Sequence, residues 1–148
     1  QSQIPAKIIR LTQTFGPGID YMDGRIFAEF ARCAKEKRNI VLLTQGQTER
    51  CYLYTADAVS AILVVLLDGV TGQAYTAANA GTYCSILQMA KNFADENNIQ
   101  VVIKPLDVNK LGYADTLYMK LNTEKIEKLG WHPKVGLLEM FQRMMEAM

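Results

Sequence analysis

The chain alternates between short apolar runs and longer stretches in which apolar residues recur every three or four positions. Short runs bounded by polar turns predict strands, and the longer period predicts helices. The predicted strands are residues 6–11, 40–43, 51–54, 74–77 and 101–104. The predicted helices are residues 25 to about 35, 55–67, 85 to about 96, 123–130 and 137–148. Strands and helices that alternate in this way predict an α/β fold.

The second predicted helix has an unusual composition. Thr55 is its expected N-cap, and Asp68 and Gly69 close it. Its apolar residues, Val59 and residues 62–67, leave almost no polar face. We therefore expect this helix to be buried on most sides.

Capping signals mark two further helices, and one segment has no clear period. Ser85 and Gln88 have the spacing of a capping box at the start of the third helix. Thr123 is expected to cap the short fourth helix, which ends at Gly130. Between residues 105 and 119 the pattern weakens, which predicts a loop.

Composition describes one ordinary globular unit. The 148 residues are 49% hydrophobic and 21% charged, which supplies one core and leaves no room for a second full domain. The formal net charge of +1 gives no basic field, so we expect no nucleic-acid partner. The apolar run at residues 61–67 is far too short to span a bilayer, and we expect a cytoplasmic protein without a membrane partner.

The three cysteines do not indicate a metal site. Cys33, Cys51 and Cys84 are odd in number and widely spaced, and they lack the paired spacing of a zinc site. We expect reduced, structurally buried thiols and no bound metal.

Arg50 is the strongest candidate functional residue. It lies seven residues before Asp57 and four after Gly46, in a strand that precedes an apolar helix. Because a guanidinium is a planar, permanently charged group with several N–H donors, this placement predicts a phosphate-binding residue. The alternative from this segment alone is an arginine that extends into solvent or pairs with Glu49 at a sheet edge.

Three stretches give the chain a family resemblance. Residues 8–18 read as a strand followed by Gly16-Pro17-Gly18, residues 50–57 have Arg and Asp separated by six residues, and residues 121–133 contain Leu-Gly-Trp-His-Pro. In this order they resemble the C-terminal half of the extended short-chain dehydrogenase/reductases, which include NAD-dependent sugar-nucleotide epimerases, dehydratases and decarboxylases. The resemblance covers essentially the whole chain.

The resemblance implies the last part of a Rossmann-type sheet joined to a small α+β substrate-binding domain, with residues 1–148 as a single unit. The chain contains neither a Gly-x-Gly-x-x-Gly turn nor a Tyr four residues before a Lys. We therefore expect a fragment that lacks the N-terminal dinucleotide-binding part and is inactive alone, with no catalytic residue of its own. The alternative is a stand-alone, non-catalytic binding or assembly module.

For the intact enzyme, the resemblance implies a homodimer that binds NAD mainly through the missing half. The expected substrate is a nucleoside-diphosphate sugar. Oxidation at C4 by NAD would be followed by epimerisation, dehydration or decarboxylation.

The resemblance also implies roles for individual residues, through the positions that they match in the family. Arg50 would hold the diphosphate, and Gln13 would replace an Asn that hydrogen-bonds the sugar nucleotide; a loop amide that bonds nearby backbone is its alternative. Arg25, in Asp23-Gly24-Arg25, would face the nucleotide or else lie on the solvent side of a helix start.

Two more substrate-binding residues and a core residue follow from the same resemblance. Leu43 falls where relatives place an aromatic residue that stacks on the base. Lys104, in Lys104-Pro105-Leu106-Asp107, falls near a second phosphate-binding Arg, although a solvated Lys is its alternative. Trp131 is expected to be a core anchor beneath the final helix.

Overall fold

A computed structural model of the chain describes residues 5–106 and 116–148. The strands in these ranges are β1 Ile8–Leu11, β2 Gln13–Phe15, β3 Ile40–Leu42, β4 Glu49–Tyr54, β5 Ala74–Ala77, β6 Asn79–Ser85, β7 Val101–Ile103 and β8 Tyr118–Met119. The helices are α1 Ile26–Lys35, α2 Thr55–Asp68, α3 Ile86–Asn97, α4 Glu124–Glu127 and α5 Leu137–Glu146.

The strands form three small sheets in which parallel pairing dominates. β1 pairs with β5, and β3 pairs with β7, both parallel. The third sheet has the order β2-β4-β6, with β2 parallel and β6 antiparallel to β4. β8 also pairs with β4, beside its first two residues. All five strands expected from the sequence are present, and the mixed α/β organisation is as predicted.

The larger core lies between the β2-β4-β6 sheet and helices α1, α3 and α5. Its centre is aromatic, because Phe15 stacks on Phe27 at 4.4 Å between ring centroids and lies 5.0 Å from Phe141. Phe93 of α3 packs on the same Phe141 ring at 4.5 Å. These side chains are fully buried, so the three helices are held on one face of the sheet by hydrophobic burial and aromatic packing.

The smaller core lies on the opposite face of β4. Leu53 packs there with Ala61 of α2, Tyr75 of β5 and Trp131. Trp131 is buried, as expected for a core anchor, but the prediction that it lies beneath the final helix is wrong. Its Nε1 donates to Ser60 Oγ on α2 at 2.9 Å, so it packs against α2.

Asp57 explains the position of Trp131. Its buried carboxylate accepts hydrogen bonds from the backbone N–H groups of Lys134 and Val135 at 3.0 and 3.1 Å. This pair of bonds ties the segment after Trp131 to the first turn of α2.

Two expectations about α2 are wrong. Thr55 is its first helical residue rather than its cap, and the N-cap Tyr54 makes no side-chain capping bond, because strand β4 runs directly into the helix. The helix is also not buried on most sides. Only the face that carries Ala58, Ala61 and Val65 is covered by the rest of the described chain.

Five large apolar residues of α2 are exposed, and so is Leu11 on the α2 side of β1. We call this patch the α2–β1 surface, and it consists of Leu11, Val59, Ile62, Leu63, Leu66 and Leu67. Ile8 is also exposed but lies on the other face of β1. A groove lined by Ile9, Ile62 and Leu66 runs between the two elements. Within the described residues β1 has a single partner strand, β5, so its other edge is unpaired.

The other capping predictions had mixed outcomes. Ser85 is the N-cap of α3, and its hydroxyl accepts from the Gln88 N–H at 3.0 Å, which confirms half of the predicted capping box. The Gln88 side chain does not complete the box, because it donates to Asn92. Thr123 is the N-cap residue of α4 but does not cap with its side chain, which donates to the Glu127 carboxylate. Asn122 instead accepts the Glu124 N–H at 2.9 Å.

Three strands were not predicted. β2 follows β1 after one residue, and β6 contains Gly81 and several polar residues that obscure alternation. β8 lies in the segment predicted as a loop, of which residues 107–115 fall outside the described residues. No helix in the described ranges has the length and apolar character needed to cross a bilayer.

Candidate functional site

Arg50 is held in the middle of a sheet rather than at its edge. Its backbone lies between Cys84 of β6 and Met119 of β8. Gly46 fixes the approach to this strand, since it has a φ of 65° and a Cβ there would lie 2.9 Å from the Leu87 backbone nitrogen. The position of Arg50 is therefore set by strand pairing on both sides.

Glu49 does not pair with Arg50 in the part of the chain that the structure describes. Successive side chains of a strand point to opposite faces, and the Glu49 carboxylate accepts a hydrogen bond from Tyr83 Oη at 2.6 Å. This bond raises the pKa of Tyr83 to about 12. The pairing that the sequence left open is thus not formed, because Glu49 is engaged elsewhere.

The Arg50 side chain contains a buried donor without an acceptor. Among the described residues, Nε of Arg50 has no hydrogen-bond partner, although it is shielded from solvent. The residue as a whole is half-buried. Leaving a buried donor unsatisfied costs about 1–3 kcal/mol, which makes such an atom a candidate ligand contact.

The hydroxyl of Tyr52 is also buried without a hydrogen-bond partner among the described residues. Tyr52 is fully buried, and its Oη has no partner within the described ranges. Burial raises the pKa of Tyr52, the nearby Cys84 adds to the increase, and the positive charge of Arg50 opposes it. The hydroxyl therefore stays protonated and remains a donor at neutral pH.

Gln13 lies beside this pair. It belongs to strand β2 rather than to a loop, and it is in parallel register with Tyr52. Residues in register on neighbouring strands point to the same face, so Gln13, Tyr52 and Arg50 share one face of the sheet. The structure thus brings together two of the predicted site residues.

Leu43 and Lys104 form a second group, at the carboxyl ends of β3 and β7. The Lys104 N–H donates to the Leu42 carbonyl at 2.9 Å, and the Leu106 N–H donates to the Leu43 carbonyl at 3.1 Å. Lys104 is exposed and Leu43 is half-buried. Asp107, which completes the Lys104 motif, lies outside the described residues.

Arg25 is engaged with its own neighbours. It is the N-cap residue of α1, and its guanidinium forms a two-point ion pair with Asp23, with Nη2 at 2.6 Å from Oδ2 and Nε at 2.9 Å from Oδ1. The guanidinium also lies over the Phe27 ring, 4.7 Å from its centroid. Hydrogen bonds from Arg25 lower the pKa of Asp23 to about 2. The Arg25 guanidinium is therefore already paired with a carboxylate, and its side chain is 45% exposed.

The cysteines are free thiols within the described structure. Cys33 and Cys51 are buried as expected, whereas Cys84 is only half-buried. Burial raises the pKa of both Cys33 and Cys84 to about 11.

Sequence reasoning missed Tyr52 and Cys84 as neighbours of Arg50. Alternation along β4 places Tyr52 on the face of Arg50, and this signal was available in the sequence. Cys84 faces Arg50 only through the antiparallel register of β4 and β6, which has an irregularity between Arg50 and Tyr52. No local pattern indicates that register.

The fold and the Arg50 group define a mixed α/β protein with a candidate anion-binding residue on a central strand. The family model of the NAD dependent epimerase/dehydratase family matches residues 1–81, which is more than half of the 148 residues. The chain belongs to this family, as the sequence motifs indicated.

Curated relatives support the same assignment. The chain is 30% identical to bovine (Bos taurus) dTDP-D-glucose 4,6-dehydratase in an alignment 156 residues long. The alignment covers 99% of this chain and 41% of the bovine protein. It is 27% identical to UDP-glucuronic acid decarboxylase 3 of Arabidopsis thaliana, covering 94% of this chain and 40% of the plant protein. The chain thus spans about two fifths of the length of these relatives.

Solved structures share the fold. UDP-glucose 4-epimerase of Thermotoga maritima, solved with UDP-glucose, has a TM-score of 0.80 at 23% identity and covers 95% of this chain and 45% of that one. dTDP-glucose 4,6-dehydratase of Bacillus anthracis, solved in complex with NAD, has a TM-score of 0.75 at 20% identity. The match covers 95% of this chain and 43% of that one. The predicted fold class, that of the extended short-chain dehydrogenase/reductases, is confirmed.

Proposed function

We propose that this chain is the substrate-binding part of an NAD-dependent nucleoside-diphosphate-sugar epimerase, dehydratase or decarboxylase, and that Arg50 holds the diphosphate. The observation that carries the proposal is the buried Nε of Arg50, which has no acceptor among the described residues. Phosphate oxygens are strong acceptors and accept charge-assisted hydrogen bonds from guanidinium groups. The relatives and the solved epimerase carry nucleotide sugars in their names, which agrees with such a ligand.

The geometry around Arg50 suits a preorganised anion site. Strands on both sides fix its backbone, and its partly exposed guanidinium has no carboxylate partner in the described chain. A ligand phosphate would therefore meet a positive charge that is not already neutralised. An arginine in an ion pair, such as Arg25, would first have to leave its carboxylate.

The other site residues take more peripheral roles in this proposal. Gln13 would donate or accept a hydrogen bond on the face that carries Arg50. Leu43 would contact the base, and Lys104 at the neighbouring strand end would approach the second phosphate. Arg25 would contribute only if the ligand displaced Asp23.

The described residues contain no glycine-rich turn of the kind that holds NAD: the connection between β2 and α1 has Gly16, Gly18 and Gly24 but not the Gly-x-Gly-x-x-Gly spacing. A dinucleotide pyrophosphate is bound by a glycine-rich turn between a strand and a helix. Here β4 passes into α2 between Tyr54 and Thr55, and β6 passes into α3 between Ser85 and Ile86, with no intervening turn. We infer that NAD is held by a separate N-terminal dinucleotide-binding part.

The α2–β1 surface favours this arrangement over a stand-alone binding module. Large contiguous apolar patches are rare on isolated soluble proteins and mark interfaces. Here the patch adjoins the unpaired edge of a parallel strand, and parallel sheets are normally covered on both faces. We infer that the dinucleotide-binding part packs against this surface.

The experiment measures binding of UDP and dTDP to the wild-type chain and to Arg50→Ala and Arg50→Lys by calorimetry. A hydrogen bond to a charged group contributes about 1.5–3 kcal/mol, so Arg50→Ala should weaken binding by roughly 10- to 100-fold. Arg50→Lys should recover only part of the loss, because an ammonium cannot reproduce the planar group.

Arg25→Ala is the matched control, since it removes an arginine that is already paired. It should change the affinity far less than Arg50→Ala. Equal affinities of wild type and Arg50→Ala would remove Arg50 from the site, and a larger effect of Arg25→Ala would assign the phosphate to Arg25.

A further inference from the structure

Two buried side-chain donors lack an acceptor in the described part of the chain, and they belong to the same strand face. They are Nε of Arg50 and Oη of Tyr52. Buried polar groups in folded proteins are almost always hydrogen-bonded, so each exception requires an explanation. Two exceptions two residues apart on one strand point to a common partner that the described residues do not supply.

The Tyr52 hydroxyl cannot turn away to find another partner. Its ring is buried against Phe15 in an edge-on contact, with centroids 6.0 Å apart. Its backbone is fixed by Thr82, whose Oγ1 accepts from the Tyr52 N–H at 2.7 Å across the irregular part of the β4–β6 ladder. Ring and backbone thus hold the hydroxyl at one place.

Both groups need an acceptor. The Arg50 guanidinium carries only donors, and the Tyr52 phenol, which is protonated at neutral pH, has an O–H to donate. They form no hydrogen bond with each other. The residues next in register, Gln13 and Cys84, supply no anion, so the electrostatics of this face favour an incoming oxygen that carries negative charge.

We propose that Tyr52 is a further ligand-binding residue, and that its hydroxyl and the Nε of Arg50 converge on one oxygen of an anionic ligand, in the chemistry of a diphosphate. This inference rests on the proposed function of Arg50. Since Arg50 is partly exposed while its Nε and the Tyr52 hydroxyl are shielded from solvent, the ligand oxygen enters past the guanidinium.

The proposal predicts opposite effects of one substitution on stability and on binding. Tyr52→Phe removes a hydroxyl that has no hydrogen-bond partner among the described residues, so the Tm without ligand should stay the same or rise. The same change removes a donor to a charged oxygen, so UDP should bind roughly 10-fold more weakly or worse.

Tyr83→Phe is the matched control. The Tyr83 hydroxyl bonds Glu49, and neighbouring alternation places it on the opposite face from Cys84 and Arg50. Its removal should lower the Tm and leave UDP affinity unchanged. Both variants and wild type are compared as the 148-residue chain, with UDP and inorganic pyrophosphate titrated by calorimetry and with the Tm measured in their absence.

A double substitution tests the shared oxygen. If Arg50 and Tyr52 bind the same atom, Arg50→Ala with Tyr52→Phe should weaken UDP binding by less than the product of the two single effects. Additive effects would overturn the convergence on one oxygen.

The outcomes separate this inference from the proposed function. UDP binding that is lost in Arg50→Ala and unchanged in Tyr52→Phe would overturn the role of Tyr52 and leave that of Arg50. A Tm loss in Tyr52→Phe without a change in UDP affinity would also overturn it, because it would identify a structural hydroxyl bonded to a buried water. Failure of the wild-type chain to bind UDP or pyrophosphate would overturn both.

Discussion

The α2–β1 surface should cause the 148-residue chain to self-associate when no other part covers it. Leu63 and Leu66 lie three residues apart on α2, and 51% and 63% of their surfaces are exposed. Full burial of a leucine side chain is worth about 1.5–3 kcal/mol. Because half or more of each side chain is still accessible, covering both would contribute roughly 2–3 kcal/mol to association.

The perturbation is the double substitution Leu63→Gln with Leu66→Gln. Glutamine has a helix propensity close to that of leucine, so the fold of the monomer should persist with little change in Tm. The self-association constant should fall by roughly 30- to 150-fold. Sedimentation velocity over a concentration series measures it directly.

Leu138→Gln on α5 is the control, since Leu138 is also exposed, at 42%, but lies outside the α2–β1 surface. It should leave self-association unchanged. The reasoning is refuted if the wild-type chain is a monodisperse monomer at every concentration, or if Leu138→Gln weakens association as much as the double substitution does.

Two other predictions concern stability and pH. Asp57→Ala should destabilise the chain by roughly 2–4 kcal/mol in urea unfolding, because it leaves the Lys134 and Val135 N–H groups without their acceptor; a loss below about 1 kcal/mol would show that this tether is dispensable. Asp23 should titrate by NMR with a pKa of about 2. Since its folded pKa is below the unfolded value, the stability from the Asp23–Arg25 pair should be present above pH 3.8 and disappear as the pH falls towards 2. A measured pKa near 3.8 would mean that the pair is not formed in solution.

Local signals in the sequence predicted most elements because their causes are local. The Ser85 cap of α3 and the strand Ala74–Ala77 agree with the structure, and α5 buries Phe141 and Met144 on one face as its period indicated. Capping bonds and side-chain periods involve residues within one turn or one strand. Such features can be predicted without knowing the rest of the fold.

The burial of α2 could not be predicted in the same way. Its composition indicates a helix that is covered on most sides, yet whether a face is covered depends on which other elements are present to pack on it. The described chain covers only the side of Ala58, Ala61 and Val65. This mismatch between composition and burial is the observation on which we base the proposal that the α2–β1 surface is an interface.

The candidate site illustrates the same division between local and non-local causes. A motif singled out Arg50, and alternation along β4 was sufficient to place Tyr52 beside it. Within the part of the chain that the structure describes, neither donor has an acceptor, and this depends on facts that no local pattern contains: Glu49 bonds Tyr83, and the shifted register of β4 and β6 places Cys84 opposite Arg50. A sequence motif can thus identify a charged residue as a candidate. Only the surrounding pairings show whether its charge is already paired, and among the described residues no acceptor meets the buried Nε of Arg50.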